Sequence, residues 1–210
     1  MKNDWEIAME SISKITVFSN PNNESVTISG ETEDLYCIGL GTDAAVFQSP
    51  YAPAYAFKKF AKDKVFKAKV EASVYDRLGE SPFFPKCFAS YDDYLVLSYE
   101  EGKTLCDCLL QGIHIPKQVL NDVEEARAYI RKKGLNPRDI HLKNILLQNG
   151  RAIVLDVSEY TKPGNDFRWE LLKKGHTQYY HLIDGQPVPS WLVEQVRKWY
   201  NQRNKNDWRP

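Results

Sequence analysis

NPRDIHLKNILLQNGRAIVLDVS, residues 136–158, is the stretch on which the fold turns. Two apolar runs, Ile145–Leu147 and Ala152–Leu155, flank Asn149-Gly150. Asn-Gly readily supplies the positive-φ residues of a tight hairpin turn, so the runs are predicted to pair as half-buried antiparallel strands. Three polar residues lie at the open end of that hairpin: Asp139, Asn144 five residues on, and Asp156 twelve beyond that. The pairing holds them close in space. A carboxylate, an amide and a second carboxylate form a hard oxygen set that suits Mg²⁺, an ion content with few protein ligands. The set also leaves one group to orient a hydroxyl nucleophile. A polar turn beside a core hairpin explains any one of these residues, but not three at this spacing.

Arg138-Asp139-Ile-His-Leu-Lys-Asn144-Ile-Leu-Leu resembles the catalytic loop of the protein-kinase superfamily, and Leu155-Asp156-Val-Ser resembles its metal-binding aspartate motif. The resemblance implies an α+β, bilobal kinase-like fold with a β-rich N-lobe and a reduced, mainly helical C-lobe. It implies ATP and Mg²⁺ as cofactors, Asp139 as the catalytic base, and Asn144 and Asp156 as the metal ligands.

The other parts expected of that family lie upstream, in order. Gly39-Leu40-Gly41-Thr-Asp-Ala44-Ala-Val46 has strand-like sequence on both sides, whereas a dinucleotide-binding turn needs a helix directly after it. Glycines there let backbone N–H groups approach phosphate oxygens. The segment is similar to the kinase glycine-rich loop, with Ala44 at the third glycine. After the turn Gln48–Pro53, Tyr55–Phe60 reads as a strand in which one of Lys58 and Lys59 points inward. Register with the motif makes Lys58 the lysine that holds the α and β phosphates, and Lys59 its solvated neighbour.

Lys62–Leu78 reads as a helix with Phe66, Val70, Val74 and Leu78 on one stripe and Gly79 as its stop. Glu71, beside that stripe, resembles the glutamate that pairs with the strand lysine. Tyr91–Leu97 reads as a hairpin strand. By resemblance Leu97 backs the adenine pocket, and Ser98, Tyr99 and Glu100 offer backbone contacts to the adenine edge. A helix over 116–133, with Val119, Val123, Ala126 and Ile130 on one face, then leads into the catalytic loop. The predicted organisation is an extension over 1–34 (a short helix and a hairpin), an N-lobe over 35–97, a hinge over 98–102 and a reduced C-lobe over 103–210.

The chain also departs from the family pattern. Pro137 replaces the usual histidine before Arg138-Asp139, and Val157-Ser158 replace Phe-Gly after Asp156. No Ala-Pro-Glu-like segment follows. His141 stands where protein kinases often carry a lysine. Small atypical kinases, such as the RIO group and bacterial lipopolysaccharide kinases, commonly have a histidine there, and the chain is similar to such minimal kinases. Only 54 residues follow Asp156. They include a helix beginning near Phe167, and a last segment in which Trp191, Gln195/Val196 and Trp199 share a face expected to be core. His176 and His181 lack the acid or cysteine partners of a metal site.

Composition agrees with an ordinary globular chain: 210 residues, 42% hydrophobic, 27% charged. With 28 basic and 28 acidic residues the net charge is zero, which gives no sign of a nucleic-acid or membrane partner. No apolar run approaches the roughly 20 residues of a membrane span, and MKNDWEIAMES lacks the apolar core of a signal peptide. Four scattered cysteines form no disulfide framework, so a cytoplasmic protein is expected. The resemblance implies a phosphotransferase that moves the γ-phosphate of Mg-ATP to a hydroxyl, with serine/threonine of a protein as acceptor. The alternatives are a pseudokinase scaffold that binds nucleotide without turnover, and a small-molecule kinase.

Overall fold

The computed structural model describes residues 4–202, with side chains described through Lys198. The chain forms two compact units, Met1–Glu100 and Glu101–Pro210.

Unit 1 begins with a 3-10 turn (Asp4–Ala8), helix α1 (Met9–Lys14) and an antiparallel pair, β1 (Thr16–Phe18) and β2 (Thr27–Ser29). A five-stranded antiparallel sheet follows: β3 (Tyr36–Leu40), β4 (Ala44–Ser49), β5 (Ala52–Phe60), β6 (Cys87–Ser90) and β7 (Tyr94–Ser98), in the order β3-β4-β5-β7-β6. Helix α2 (Val65–Leu78) connects β5 to β6. The turn before β5 is tighter than the sequence suggests. A register shift between Gln48 and Ser49 pairs Ser49 with Ala52, so the strand starts inside the expected loop.

The two faces of the sheet have different partners. On one, Ala45 and Phe47 of β4, Phe57 of β5, and Tyr94 and Val96 of β7 pack with Ala8, Ile12, Ile15, Val17 and Val26 of the amino-terminal segment. Alternation along β5 puts Lys59 on this face between Phe57 and Ala61, and it is buried at 5% exposure rather than solvated. Its ammonium is satisfied locally, by Asp93 Oδ2 at 2.8 Å and by the ring of Tyr94 at 5.5 Å. Strand periodicity distinguishes two faces, but it does not say that a distant segment covers the second.

The other face carries Lys58 and meets α2 through Ala68, Glu71, Val74, Tyr75 and Leu78. The buried stripe thus runs 68-71-75-78, at spacings of three and four, with a glutamate inside it. Phe66, placed on the stripe by strict intervals of four, is 61% exposed. A step of four advances about 40° past a full turn, so a long row of such steps drifts off one face.

Unit 2 contains β8 (Lys103–Thr104), α3 (Leu105–Gln111), α4 (Lys117–Lys132), β9 (Ile145–Gln148), β10 (Arg151–Val154), α5 (Arg168–Tyr179) and α6 (Ser190–Gln202). Its sheet has the order β10-β9-β8, all antiparallel. Asn149 (φ 50°) and Gly150 (φ 78°) form the left-handed hairpin turn between β9 and β10. Thr104 caps α3 by accepting the Asp107 N–H at 3.1 Å. Helix α4 buries Val119, Val123, Ala126 and Ile130, together with two charges, Asp122 and Arg127.

Asp122 ties α4 to β10. Its carboxylate accepts a fork from Arg151 (2.8 Å twice) and the Ala152 N–H at 2.9 Å. Burial alone pushes this carboxyl up, but the hydrogen bonds from Arg151, Gln118 and the Ala152 backbone outweigh it and hold the group below its ordinary value.

The last helix corrects the expectation of a core face: Trp191 is 65% and Val196 55% exposed, and Gln195 is exposed as well. The Trp199 side chain lies outside the described residues. All four cysteines are free, with Cys106 and Cys108 buried on α3. His176 stacks on Tyr180, ring centroids 4.4 Å apart. Among the described residues no helix is long and apolar enough to cross a membrane.

Candidate active site

The residues singled out in the sequence gather into two constellations, one in each unit. In unit 1 the strand registers line up Gly39 of β3, Val46 of β4 and Lys58 of β5 as successive neighbours across the sheet. Two residues before Lys58, Ala56 stands opposite Leu97 of β7, so Leu97 shares the Lys58 face. Lys58 Nζ donates to both oxygens of Glu71, at 2.8 and 2.7 Å, and Glu71 is fully buried. Desolvating both charges consumes most of what their attraction provides, so the pair specifies where Lys58 points more than it stabilises the fold.

The turn between β3 and β4 is tied at several points. The Gly41 N–H donates to the Ala44 carbonyl at 2.9 Å, closing the loop on itself. A Cβ on Gly41 would sit 3.2 Å from that same oxygen, a tight contact that the turn would have to open by a few tenths of an ångström to accept. The Gly41 carbonyl accepts the Val26 N–H (2.9 Å), and the Asp43 carbonyl accepts the Ala61 N–H (2.8 Å). The Asp43 carboxylate takes Lys67 Nζ at 2.5 Å. Leu40 is exposed at the end of β3. Beyond β7, the Ser98 N–H is spent on the Lys86 carbonyl (2.8 Å) and the Tyr99 N–H on the Ala54 carbonyl (2.9 Å). The Ser98 hydroxyl donates to Glu100 Oε1 at 2.6 Å.

In unit 2 the β9–β10 hairpin sets the second constellation. The Leu155 N–H donates to the Asn144 carbonyl (2.9 Å), one step beyond the Ile145–Val154 pair, so Leu155 lies across from Asn144 and Asp156 is the next residue along. Asn144 Nδ2 donates to the Asp139 carbonyl at 3.0 Å, which turns the amide nitrogen toward the loop and its oxygen away. Asp156 Oδ1 accepts the Ser158 N–H at 2.9 Å. Asp139 has a left-handed backbone (φ 55°), a conformation Asp tolerates better than most residues, and its N–H donates to Asp166 Oδ2 at 2.7 Å.

Burial pushes the Asp139 carboxyl up to about 6; the Arg168 guanidinium opposes this, while Asp156, Asp166 and Glu159 add to it. Burial likewise pushes His141 down to about 4, with Arg168 acting in the same direction. His141 is therefore neutral at pH 7. Its Nδ1 accepts the Lys143 N–H at 3.3 Å, which leaves the ring proton on Nε2, 3.6 Å from Asp139 Oδ1.

The donor set fits Mg²⁺. The Asn144 amide oxygen and the Asp156 carboxylate are hard ligands, suited to an ion that fills most of its shell with water and phosphate. Among the described residues no group of three or more His, Cys, Asp or Glu could hold a metal ion.

Sequence spacing did not identify Asp166 and Arg168. Arg168 Nη1 donates to Asp139 Oδ1 at 2.5 Å across a separation of 29 residues. The only local signal is Asn165-Asp166 directly before a helical pattern, a typical capping pair. In the structure these residues form turns ahead of the helix, Asn165 Oδ1 accepting the Phe167 N–H and Asp166 Oδ1 the Arg168 N–H, while the N-cap position is Phe167 and has no side-chain cap.

No protein-family model matches the chain. Over 196 residues the chain is 32% identical to a curated protein of Bacillus subtilis (strain 168), covering 92% of this chain and 89% of that protein. At that identity and coverage the two share a family, and the chain belongs to the protein-kinase-like superfamily. The Bacillus subtilis relative is named "Putative serine/threonine-protein kinase YrzF".

Proposed function

We propose that the protein is an ATP-dependent phosphotransferase, a minimal bilobal kinase similar to the RIO and lipopolysaccharide-kinase-like group, that acts on serine or threonine hydroxyls of a protein. The observation that carries this reading is the fully buried Glu71 holding Lys58 by both oxygens. A sequestered lysine–glutamate pair adds little stability, and its use is to aim an ammonium at phosphate. The name of the Bacillus subtilis relative supports the same reading.

In this proposal the Gly39–Gly41 turn and Val46 cover the nucleotide, Lys58 holds the α and β phosphates, and the segment Ser98–Glu100 meets the adenine edge. With the Ser98 and Tyr99 N–H groups engaged in the sheet, the carbonyl groups of that segment are the better candidates for adenine contacts. Asn144 and Asp156 hold Mg²⁺, which when bound neutralises charge on the phosphate oxygens. Asp139 orients the acceptor hydroxyl. As that oxygen forms its bond to the γ-phosphorus, the bond from phosphorus to the bridging oxygen breaks, ADP leaves, and the hydroxyl proton passes to Asp139.

Incubation with γ-labelled ATP tests the reading against a nucleotide-binding scaffold. Label is expected on the protein itself or on a generic protein acceptor with Mg²⁺, and not with EDTA. Mg-ATP binding without transfer to any protein or small hydroxyl acceptor would establish the scaffold instead.

The loop after Asp156 bears on regulation. Asn136 binds it twice, through its N–H to the Tyr160 carbonyl (2.9 Å) and its Nδ2 to the Lys162 carbonyl (2.8 Å). Arg138 Nη1 reaches the Pro163 carbonyl at 2.7 Å. In phosphorylation-switched kinases a phosphate on this loop orders it; here backbone carbonyls already hold it. Phosphatase-treated protein is therefore expected to retain full activity, and loss of activity on that treatment would contradict it.

A further inference from the structure

Four contacts link Asp139, Asp166 and Arg168, and two of them join the catalytic loop to the start of α5. The Asp139 N–H donates to Asp166 Oδ2 (2.7 Å), and the Arg168 N–H donates to Asp166 Oδ1 (3.2 Å). Arg168 Nη1 donates to Asp139 Oδ1 (2.5 Å), and Arg168 Nε lies 3.8 Å from Asp166 Oδ2. The result is a closed ring. Asp166 fixes the backbone of Asp139 and the start of the helix that carries Arg168, while Arg168 grips the Asp139 side chain.

The polar contacts of that side chain fall on one oxygen: Arg168 at 2.5 Å and His141 Nε2 at 3.6 Å both meet Oδ1. The kinase pattern often has a lysine at the position of His141, and here the fixed cation at the carboxylate comes instead from α5.

We propose that Arg168 is a positioning residue for phosphoryl transfer: its guanidinium anchors Oδ1 of Asp139 so that Oδ2 faces the acceptor hydroxyl. The proposal rests on the reading of Asp139 as the base. A guanidinium suits the task because its fixed planar donors let Nη1 hold Asp139 Oδ1 while Nε stays beside Asp166 Oδ2, whereas an ammonium acts as a point charge. Arg168 is one-third exposed and its partner Asp139 is 28% exposed on the side chain, a type of ion pair that contributes little to folding. A purely structural role therefore predicts a small drop in stability on its removal and no selective loss of kcat.

The test compares full-length wild type, Arg168→Met, Arg168→Lys, Asp139→Asn and the Arg168→Met/Asp139→Asn double variant in transfer from labelled Mg-ATP. Arg168→Met is expected to lower kcat by about 10²-fold, the size of effect that about 1 Å of misplacement produces. Its KM for Mg-ATP should stay within about threefold and its melting temperature close to wild type, because the lost contact is at the base. Arg168→Lys should recover about tenfold of that loss, since the charge returns without the rigid donor array that spans Asp139 and Asp166. The double variant should be no slower than Asp139→Asn alone, as expected of two residues acting as one.

A wild-type kcat in Arg168→Met alongside a dead Asp139→Asn overturns the role of Arg168 and leaves the base reading intact. If Arg168→Met does not fold, a wild-type kcat in Arg168→Lys has the same force. A further loss in the double variant overturns action through Asp139, and wild-type turnover in Asp139→Asn overturns the base reading itself.

Discussion

Asp139→Asn lowers phosphoryl transfer by about 10²–10⁴-fold, the usual loss on removing a positioned base, while Mg-ATP affinity stays within a few-fold of wild type. The separation follows from what each group touches. The polar groups of unit 1 that the proposal assigns to the nucleotide make no use of the Asp139 carboxylate. The asparagine keeps the backbone bonds to Asp166 and Asn144, because those use the N–H and carbonyl of residue 139 and not its side chain. An amide oxygen can still accept from Arg168, so the loop keeps its shape. Single-turnover rates and calorimetry on one preparation measure the two quantities, and equal turnover in variant and wild type would falsify the assignment of the base.

Lys58→Met is expected to weaken both nucleotide binding and transfer, and also to lower the stability of unit 1 by about 3 kcal/mol. The last effect arises because breaking a buried pair from one side leaves a buried charge without its counter-ion. Glu71 has no exposure to water through which to relax. Adding Glu71→Met to Lys58→Met should restore most of the stability and none of the activity, since two apolar groups of similar size replace two opposed charges. Urea melts and labelled-ATP transfer on both variants measure this. Recovery of transfer in the double variant would show that Lys58 has no part in the reaction.

Much of the local structure was legible because it depends on neighbours in sequence. Asn149-Gly150 between two apolar runs specifies a hairpin whatever surrounds it, and the face of α4 follows from the spacing of Val119, Val123, Ala126 and Ile130. The meeting of Lys58 with Glu71 was legible only through resemblance. A hydrophobic pattern treats a buried glutamate as a solvent-facing residue, which is why the stripe on α2 was drawn one position aside. Lys59 and Trp191 show the opposite limit. One is covered by a segment more than 30 residues upstream, and the other stays uncovered on an amphipathic helix, and nothing in the local pattern distinguishes these outcomes. Arg168 and Asp166 were not legible because their contacts with Asp139 span 29 and 27 residues and obey no periodicity.

The amino-terminal segment matters for how this protein can be divided. A boundary drawn by motif content falls near Leu35, since every residue assigned to chemistry lies after it. A boundary drawn by packing does not fall there. Ala8, Ile12, Ile15, Val17 and Val26 are the second layer of the sheet, and the Val26 backbone also holds the glycine-rich turn. A chain begun at Leu35 would keep the whole catalytic inventory but leave Phe47, Phe57, Tyr94 and Val96 as a bare strip of β surface around the Lys59 ammonium. Broad apolar patches on strands drive self-association. Changes before residue 35 should thus register as insolubility, and a library of truncations scored only for activity would count the segment as catalytic.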